Sequence, residues 1–282
     1  MENKPRKPWI AGLLSLIQPG LGQVYNGEIR KALLFYVLPV LLIPGTFLII
    51  HSEFYRTSLA TYAIFVFAYY VFVLVDAVRT AKRFSNQYTP NKYNKTSRYI
   101  GIYLLVAIAS VSVTTAVKFN IIQAYKIPAG SMEPTLLIGD HILVDRSKSA
   151  RNPRLGDLII FEYPEDPSKD FIKRVVAVGG DTVENRNKEL FVNGKAVTEN
   201  YAVHKESNMI PANQNPRDNF DPKIIPDRSY FVMGDNRDRS YDSRFWGAVP
   251  KDKVKGTVKT IYWSWDREKN SVRWDRIGMK VL

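Results

Sequence analysis

Three stretches of the chain, 32–50, 57–75 and 99–117, each run 19 residues without a charged side chain and are mostly apolar. A helix of that length, at ~1.5 Å per residue, covers roughly the 30 Å hydrocarbon core of a bilayer. Burying three such uniform stretches in a soluble protein would need a large all-helical domain around them. The chain is therefore expected to carry three transmembrane helices, the first made irregular by Pro39, Pro44 and Gly45. The run before them, WIAGLLSLI (9–17), is too short to cross and is broken by Gln18, Pro19, Gly20, Gly22 and Gln23. An interfacial or re-entrant segment over 9–24 is predicted there, in preference to a fourth span. No small-residue cleavage site follows a short apolar core, so no cleavable leader of ordinary form is expected.

Charge orients the anchor. The net charge of +13 invites a nucleic-acid reading, but its distribution argues against one. Residues 1–119 hold 13 Lys and Arg against 4 Asp and Glu, whereas residues 120–282 hold 27 against 23. The excess thus sits beside the apolar stretches. The segment 79–98 carries Arg79, Lys82, Arg83, Lys92, Lys95 and Arg98, while 51–56 carries only Arg56. The positive-inside rule places 79–98 in the cytoplasm, with Lys4, Arg6 and Lys7 on the same side. The third helix then runs outward, and everything from about residue 120 faces the periplasm or exterior.

From 120 to 282 the pattern changes to short apolar runs punctuated by Gly, Pro, Asn and Asp. DHILVDR, DLIIFEY, FIKRVVAV, ELFVNGKAV, SYFVMGD, VKGTVKTIYW and SVRWDRI read as strands. Asn193-Gly194 within FVNGK is a hairpin signal. Residues 200–228, with Pro211, Pro216, Pro222 and Pro226, read as a long loop or small excursion. The expected architecture is a mainly β domain over 120–282 on a helical membrane anchor over 1–119.

Three short stretches carry the chemistry: SMEPT with Ser131, FIKRVVAVGGD (171–181) and GDNRDRSYDSRFWG (234–247). Each alone has an ordinary explanation as a turn, an edge lysine or a solvated loop. Together they supply a nucleophile and a base. The chain has no cysteine, which excludes disulfides, a thiolate nucleophile and cysteine-ligated metal. Its three histidines are His51, at the end of an apolar segment, His141, in a strand-like run, and His204, in a polar region; none has the spacing of a triad or ligand set. A serine hydroxyl needs a partner to take its proton, and lysine is the established alternative to histidine. Lysine serves as a base only when burial lowers its pKa from the usual value near 10.4. Lys173 lies between Phe171, Ile172, Val175 and Val176, and in a strand it shares a face with Phe171 and Val175.

These stretches resemble the boxes of the type I signal peptidases, the bacterial membrane-bound leader peptidases. The resemblance covers most of 120–282 and includes a closing tail at DRIG (275–278). It implies a signal-peptidase-like β fold, with Ser131 as nucleophile and Lys173 as general base. Ser240 matches the hydroxyl that orients the lysine amine, Asp242 and Arg244 a supporting charged pair, and Gly234 and Asp235 the loop packed against the nucleophile. The family binds substrate as an added β-strand. Ile127, Pro128, Ala129, Met132, Phe171 and Ile172 match the lining of shallow pockets for small side chains. Ala129 departs from the Gram-negative pattern, where a serine hydroxyl at that position helps form the oxyanion hole. The opening PGLGQVYNGEIRKAL also resembles the start of a family of small two-helix bacterial membrane domains, which implies no chemistry.

The implied protein is a multi-pass enzyme of the bacterial cytoplasmic (inner) membrane that removes signal peptides from exported preproteins. Its partners are those preproteins and the lipid bilayer, with no nucleic acid, and a monomer is expected. No metal or organic cofactor is implied. Ser131 follows the end of the third helix by 14 positions, which keeps the nucleophile near the bilayer. Tyr262, Trp263 and Trp265 read either as interfacial aromatics or as packed β core. The competing reading is a catalytically silent homologue that binds exported chains, which Ala129 favours and the retained Ser131, Lys173 and Asp242 oppose.

Overall fold

The computed structural model describes residues 5–39, 55–84, 88–89 and 95–281. The chain divides into two compact units, Met1–Val117 and Lys118–Leu282.

In the first unit, α1 (Pro8–Ile17) starts on a proline, whose missing N–H costs nothing in a first turn. It stops at Gln18, and Gly20, with φ of 96°, turns the chain into α2 (Leu21–Asn26). A third helix, α3, occupies 29–39, followed by α4 (Tyr55–Arg83) and α5 (Thr96–Asn120). The segment over 9–24 is thus two short helices with a tight turn between them. Small residues let it approach α4 closely, with Ala11 packed against Ala77 and Ala81. Polar groups then fix the register: the Gln23 amide donates to the Val73 carbonyl (2.9 Å) and the Asn26 amide to that of Ala77 (2.7 Å).

The stretches predicted at 57–75 and 99–117 fall within α4 and α5. Arg56–Arg83 and Thr96–Val117 are long and apolar enough to cross a membrane. Both expose large apolar side chains, among them Phe67 and Phe72 on α4 and Leu105 and Ile108 on α5, as lipid-facing helices do. The stretch predicted at 32–50 is helical to residue 39; its remainder lies outside the described residues. Helix α4 also runs further than the uncharged stretch, so that Lys82 and Arg83 lie in its last turn, where cations suit the helix dipole.

The second unit is built on antiparallel strands, as its alternating apolar runs require. They are β1 (Ile122–Lys126), β2 (Asp140–Asp145), β3 (Leu158–Tyr163), β4 (Asp166–Val178), β5 (Thr182–Arg186), β6 (Glu189–Val192), β7 (Lys195–Ala196), β8 (Phe220–Ile224), β9 (Ser229–Met233), β10 (Val249–Pro250), β11 (Val254–Asp266) and β12 (Ser271–Val272). The larger sheet has the order β1-β2-β11-β3-β4-β9-β10, with β12 beside β11; the smaller has β7-β6-β5-β8. The hairpin at Asn193-Gly194 joins β6 to β7, both turn residues having positive φ.

The core lies on both faces of β3. Leu158 and Ile160 pack with Met132, Leu136 and Ile142 on one side. Ile159 and Phe161 pack with Val175 and Val232 on the other. Such two-sided burial explains the unbroken apolar run LIIF. The region 200–228 is mostly loop, as predicted, but it also contains β8, which its prolines and charges concealed.

Candidate active site

Ser131 sits in a single 3-10 turn, Gly130–Met132, between β1 and β2. Two hydrogen bonds from Asn236 hold that turn: its backbone N–H donates to the Ser131 carbonyl (3.1 Å) and its side-chain amide to that of Gly130 (3.0 Å). The C-terminal tail secures the following residues. Arg276 donates to the Thr135 carbonyl (2.8 Å) and pairs with the buried Asp140 carboxylate (2.6 Å). The DRIG tail therefore anchors, through Arg276, the segment that follows the Ser131 turn.

Lys173 reaches the serine from the middle of β4, its Nζ 2.7 Å from Ser131 Oγ. The side chain is 4 % exposed, and the Phe171 ring lies 5.7 Å from the amine. Burial lowers its pKa from 10.5 to about 8, with Arg244 adding to the fall and Asp242 and Asp235 opposing it. An amine at that value holds an appreciable neutral fraction near neutral pH, and the 2.7 Å contact puts the neutral Nζ within reach of the hydroxyl proton.

Asp242 and Arg244 form a buried ion pair at 2.8 Å. Both are almost wholly inaccessible, so their geometry must satisfy them internally. The Asp242 carboxylate accepts from the Gly234 N–H (3.0 Å) and from Arg244. Arg244 in turn donates to the carbonyls of Arg217 and Arg237 (2.8 and 2.7 Å). The Ser240 side chain is buried, and its Oγ lies against the Gly234 backbone. It lies outside hydrogen-bonding geometry with any described group, so its predicted contact with the lysine amine is not formed in this structure.

Gly234 is needed for close approach: a Cβ there would collide with Ser240 Oγ and the Ser131 carbonyl. Asp235 faces away from Lys173 and binds Arg174 through both carboxylate oxygens (2.9 and 2.7 Å). Thr135 donates to the same carboxylate (2.5 Å). His141 is half-buried on β2 and His204 lies 3.5 Å from Asp238; His51 is outside the described residues.

A cleft of about 390 Å³ opens over the dyad. Ile127, Pro128, Ala129, Met132, Phe171 and Ile172 line it together with Ser131 and Lys173. The sequence reading missed Tyr125, Lys126, Ile160, Asp170, Arg239 and Tyr241, which complete the lining. Two backbone edges flank the cleft. β1 is the terminal strand of its sheet, and residues 170–173 of β4 lie before the point where β9 begins to pair with it, at Arg174. Free N–H and C=O groups on such edges can bind an extended peptide as a further strand.

The signal peptidase, peptidase S26, family model matches residues 97–263, more than half of the chain. Signal peptidase I of Aquifex aeolicus is 39 % identical, the match covering 51 % of this chain and 77 % of the relative. Signal peptidase I of Leptolyngbya laminosa is 35 % identical, over 56 % and 77 %. Probable signal peptidase I-2 of Synechocystis is 34 % identical, over 55 % and 70 %. With its membrane-length helices, mainly antiparallel β unit and matched region, the chain belongs to the signal peptidase family, peptidase S26.

Proposed function

We propose that this chain is a membrane-bound serine endopeptidase that removes signal peptides from exported preproteins, with Ser131 and Lys173 as its catalytic residues. The observation that carries the reading is the 2.7 Å contact between the Ser131 hydroxyl and a buried lysine amine that has no salt-bridge partner among the described residues.

In the first half-reaction, Ser131 Oγ attacks the scissile carbonyl carbon as its proton passes to Lys173 Nζ. The Ser131 backbone N–H donates to the developing oxyanion. Ala129 has no hydroxyl to give, so a water or another amide must supply any second donor. The lysine ammonium then protonates the leaving amine, the peptide bond breaks and the mature protein departs. In the second half-reaction Lys173 takes a proton from water, the hydroxide attacks the acyl-enzyme ester, and the proton returns to Ser131 Oγ as the signal peptide leaves. Every proton moves between Ser131, Lys173, water and substrate, so the cycle requires no cofactor.

The walls of the cleft favour a small-residue cleavage site, because Ile127, Met132 and Phe171 leave only shallow apolar room. The basic residues of 79–98 support a cytoplasmic position for that segment and an outward one for the β unit, in a bacterial inner membrane. Lipid contact at the β unit is supported by Trp263, which packs edge-to-face against a Trp274 that is 70 % exposed. We read the working enzyme as a monomer.

The test is cleavage of a purified precursor by the detergent-solubilised full chain. Cleavage after a small residue is expected, with losses of at least about 10³-fold in Ser131→Ala and Lys173→Ala. Activity retained by either folded variant contradicts the dyad. Precursor bound without turnover by the unaltered chain supports the silent homologue.

A further inference from the structure

The cleft carries two positive charges for which the reaction has no use. Arg239 ends the short 3-10 turn Arg237–Arg239, and Lys126 ends β1. Both are exposed and line the cleft, one on each side of the dyad in sequence. Neither side chain forms a hydrogen bond or ion pair with a described residue. This sets them apart from their neighbours. Arg237 is bound by Glu199, Asp238 by Lys188, and Lys205 by Glu133. Asp170, the carboxylate on the cleft wall, is already held by Lys255 at 2.7 Å. The rim therefore presents two uncompensated cations to whatever lies in the cleft.

A peptide bound as an added strand alternates its side chains between two directions. When the small residues at the first and third positions before the cut (P1 and P3) enter the apolar pockets, the residues between and after them (P2 and P1′) turn toward the rim. We propose that Arg239 and Lys126 are specificity-determining residues that select an acidic side chain at P2 or P1′, an inference that rests on the peptidase reading of this cleft. Both cations are water-accessible, so each ion pair is expected to favour the acidic substrate about two- to fivefold. Salt should weaken the preference, because exposed charges are screened.

The experiment uses the full chain in detergent and peptides with Ala at P1 and P3. These carry Asp, Asn or Lys at P2 in one series and at P1′ in another. The expected Asp-to-Asn ratio of kcat/KM exceeds one by about two- to fivefold in at least one series and shrinks as salt rises. It should persist in Arg239→Lys, fall to about one in the double variant Arg239→Gln/Lys126→Gln, and invert toward the Lys peptide in Arg239→Glu/Lys126→Glu. A ratio of one or below in the unaltered chain, or the same ratio in the double Gln variant, overturns the proposal. Binding of the same peptides to Ser131→Ala separates this outcome from failure of the peptidase reading. If the unaltered chain cuts no peptide, that reading fails, while tighter Asp than Asn binding that vanishes in the double Gln background still establishes the selectivity. Equal binding of the two sinks it.

Discussion

Lys173 and Arg174 are consecutive on β4, point to opposite faces and are both nearly inaccessible, at 4 % and 1 % exposed. Their fates differ because their partners differ. Arg174 is fully compensated: Asp235 grips it through two oxygens, the Gly156 carbonyl accepts from it at 2.7 Å, and Tyr201 stacks on it at 3.9 Å. Its charge is permanent and it serves as scaffold. Lys173 is similarly buried but, among the described residues, has only a neutral hydroxyl within hydrogen-bonding reach. Its strongest carboxylate influence, Asp242, is already engaged by Arg244. A buried cation with a dedicated carboxylate becomes inert; one without a carboxylate holds its proton less tightly and becomes available as a base.

The largest test of this contrast falls on the paired side. Asp235→Asn leaves Arg174 buried without a counter-charge and should cost about 3–5 kcal/mol of stability, read as a fall in Cm or Tm. Since Asp235 also raises the pKa of Lys173, the midpoint of the pH–rate profile should move to lower pH in whatever enzyme remains folded. An unchanged midpoint would mean that the two faces of β4 are electrostatically independent. On the other side, Gly234→Ala forces Ser240 and the nucleophile turn apart and should lower kcat about 10²-fold, with KM less affected. Near-normal turnover would show that the turn can shift at no cost.

Lys173→Met should abolish turnover yet stabilise the fold by about 1–2 kcal/mol at pH 7, because a buried ammonium is replaced by an apolar chain. The sign follows from the lowered pKa, about 8 in the folded protein against ~10.4 in the unfolded chain. Below pH 8 the native state bears the full cost of the buried charge. Across the window up to ~10.4 it binds fewer protons than the unfolded chain, and the cost fades to nothing. The advantage of the Met variant should therefore shrink as pH rises through that window; thermal melts at a series of pH values read it directly. The smallest effect is expected from Ala129→Ser, which adds a possible oxyanion donor and should raise kcat a few-fold.

Much of this was legible in the chain. The apolar runs of β2, β3, β4, β9 and β11 follow from half- or fully buried sheet faces, and a lysine amid FI and VVAV stands out against that pattern. The dyad partners are 42 positions apart, so their approach was readable only through the resemblance of whole boxes. β1, β5, β8 and β10 escaped because they are short or polar: IQAYK, TVENR, FDPKI and VP carry little periodic signal. The partners of Arg174, Asn236 and Arg276 escaped for another reason. Side-chain hydrogen bonds across 61, 106 and 136 residues leave no local trace. What adjacency offered was their place beside readable motifs: Arg174 after Lys173, Asn236 within GDNRD and Arg276 within DRIG.

The most direct measurement is kcat/KM for a purified precursor from pH 5 to 10, since its pH dependence reports groups of the free enzyme. The account predicts a rate that rises with pH and levels off through a pKa near 8, set by Lys173, with no such activity in Lys173→Ala. A profile that is flat through that region, or one that keeps its shape in Lys173→Ala, would contradict a buried neutral lysine as the base.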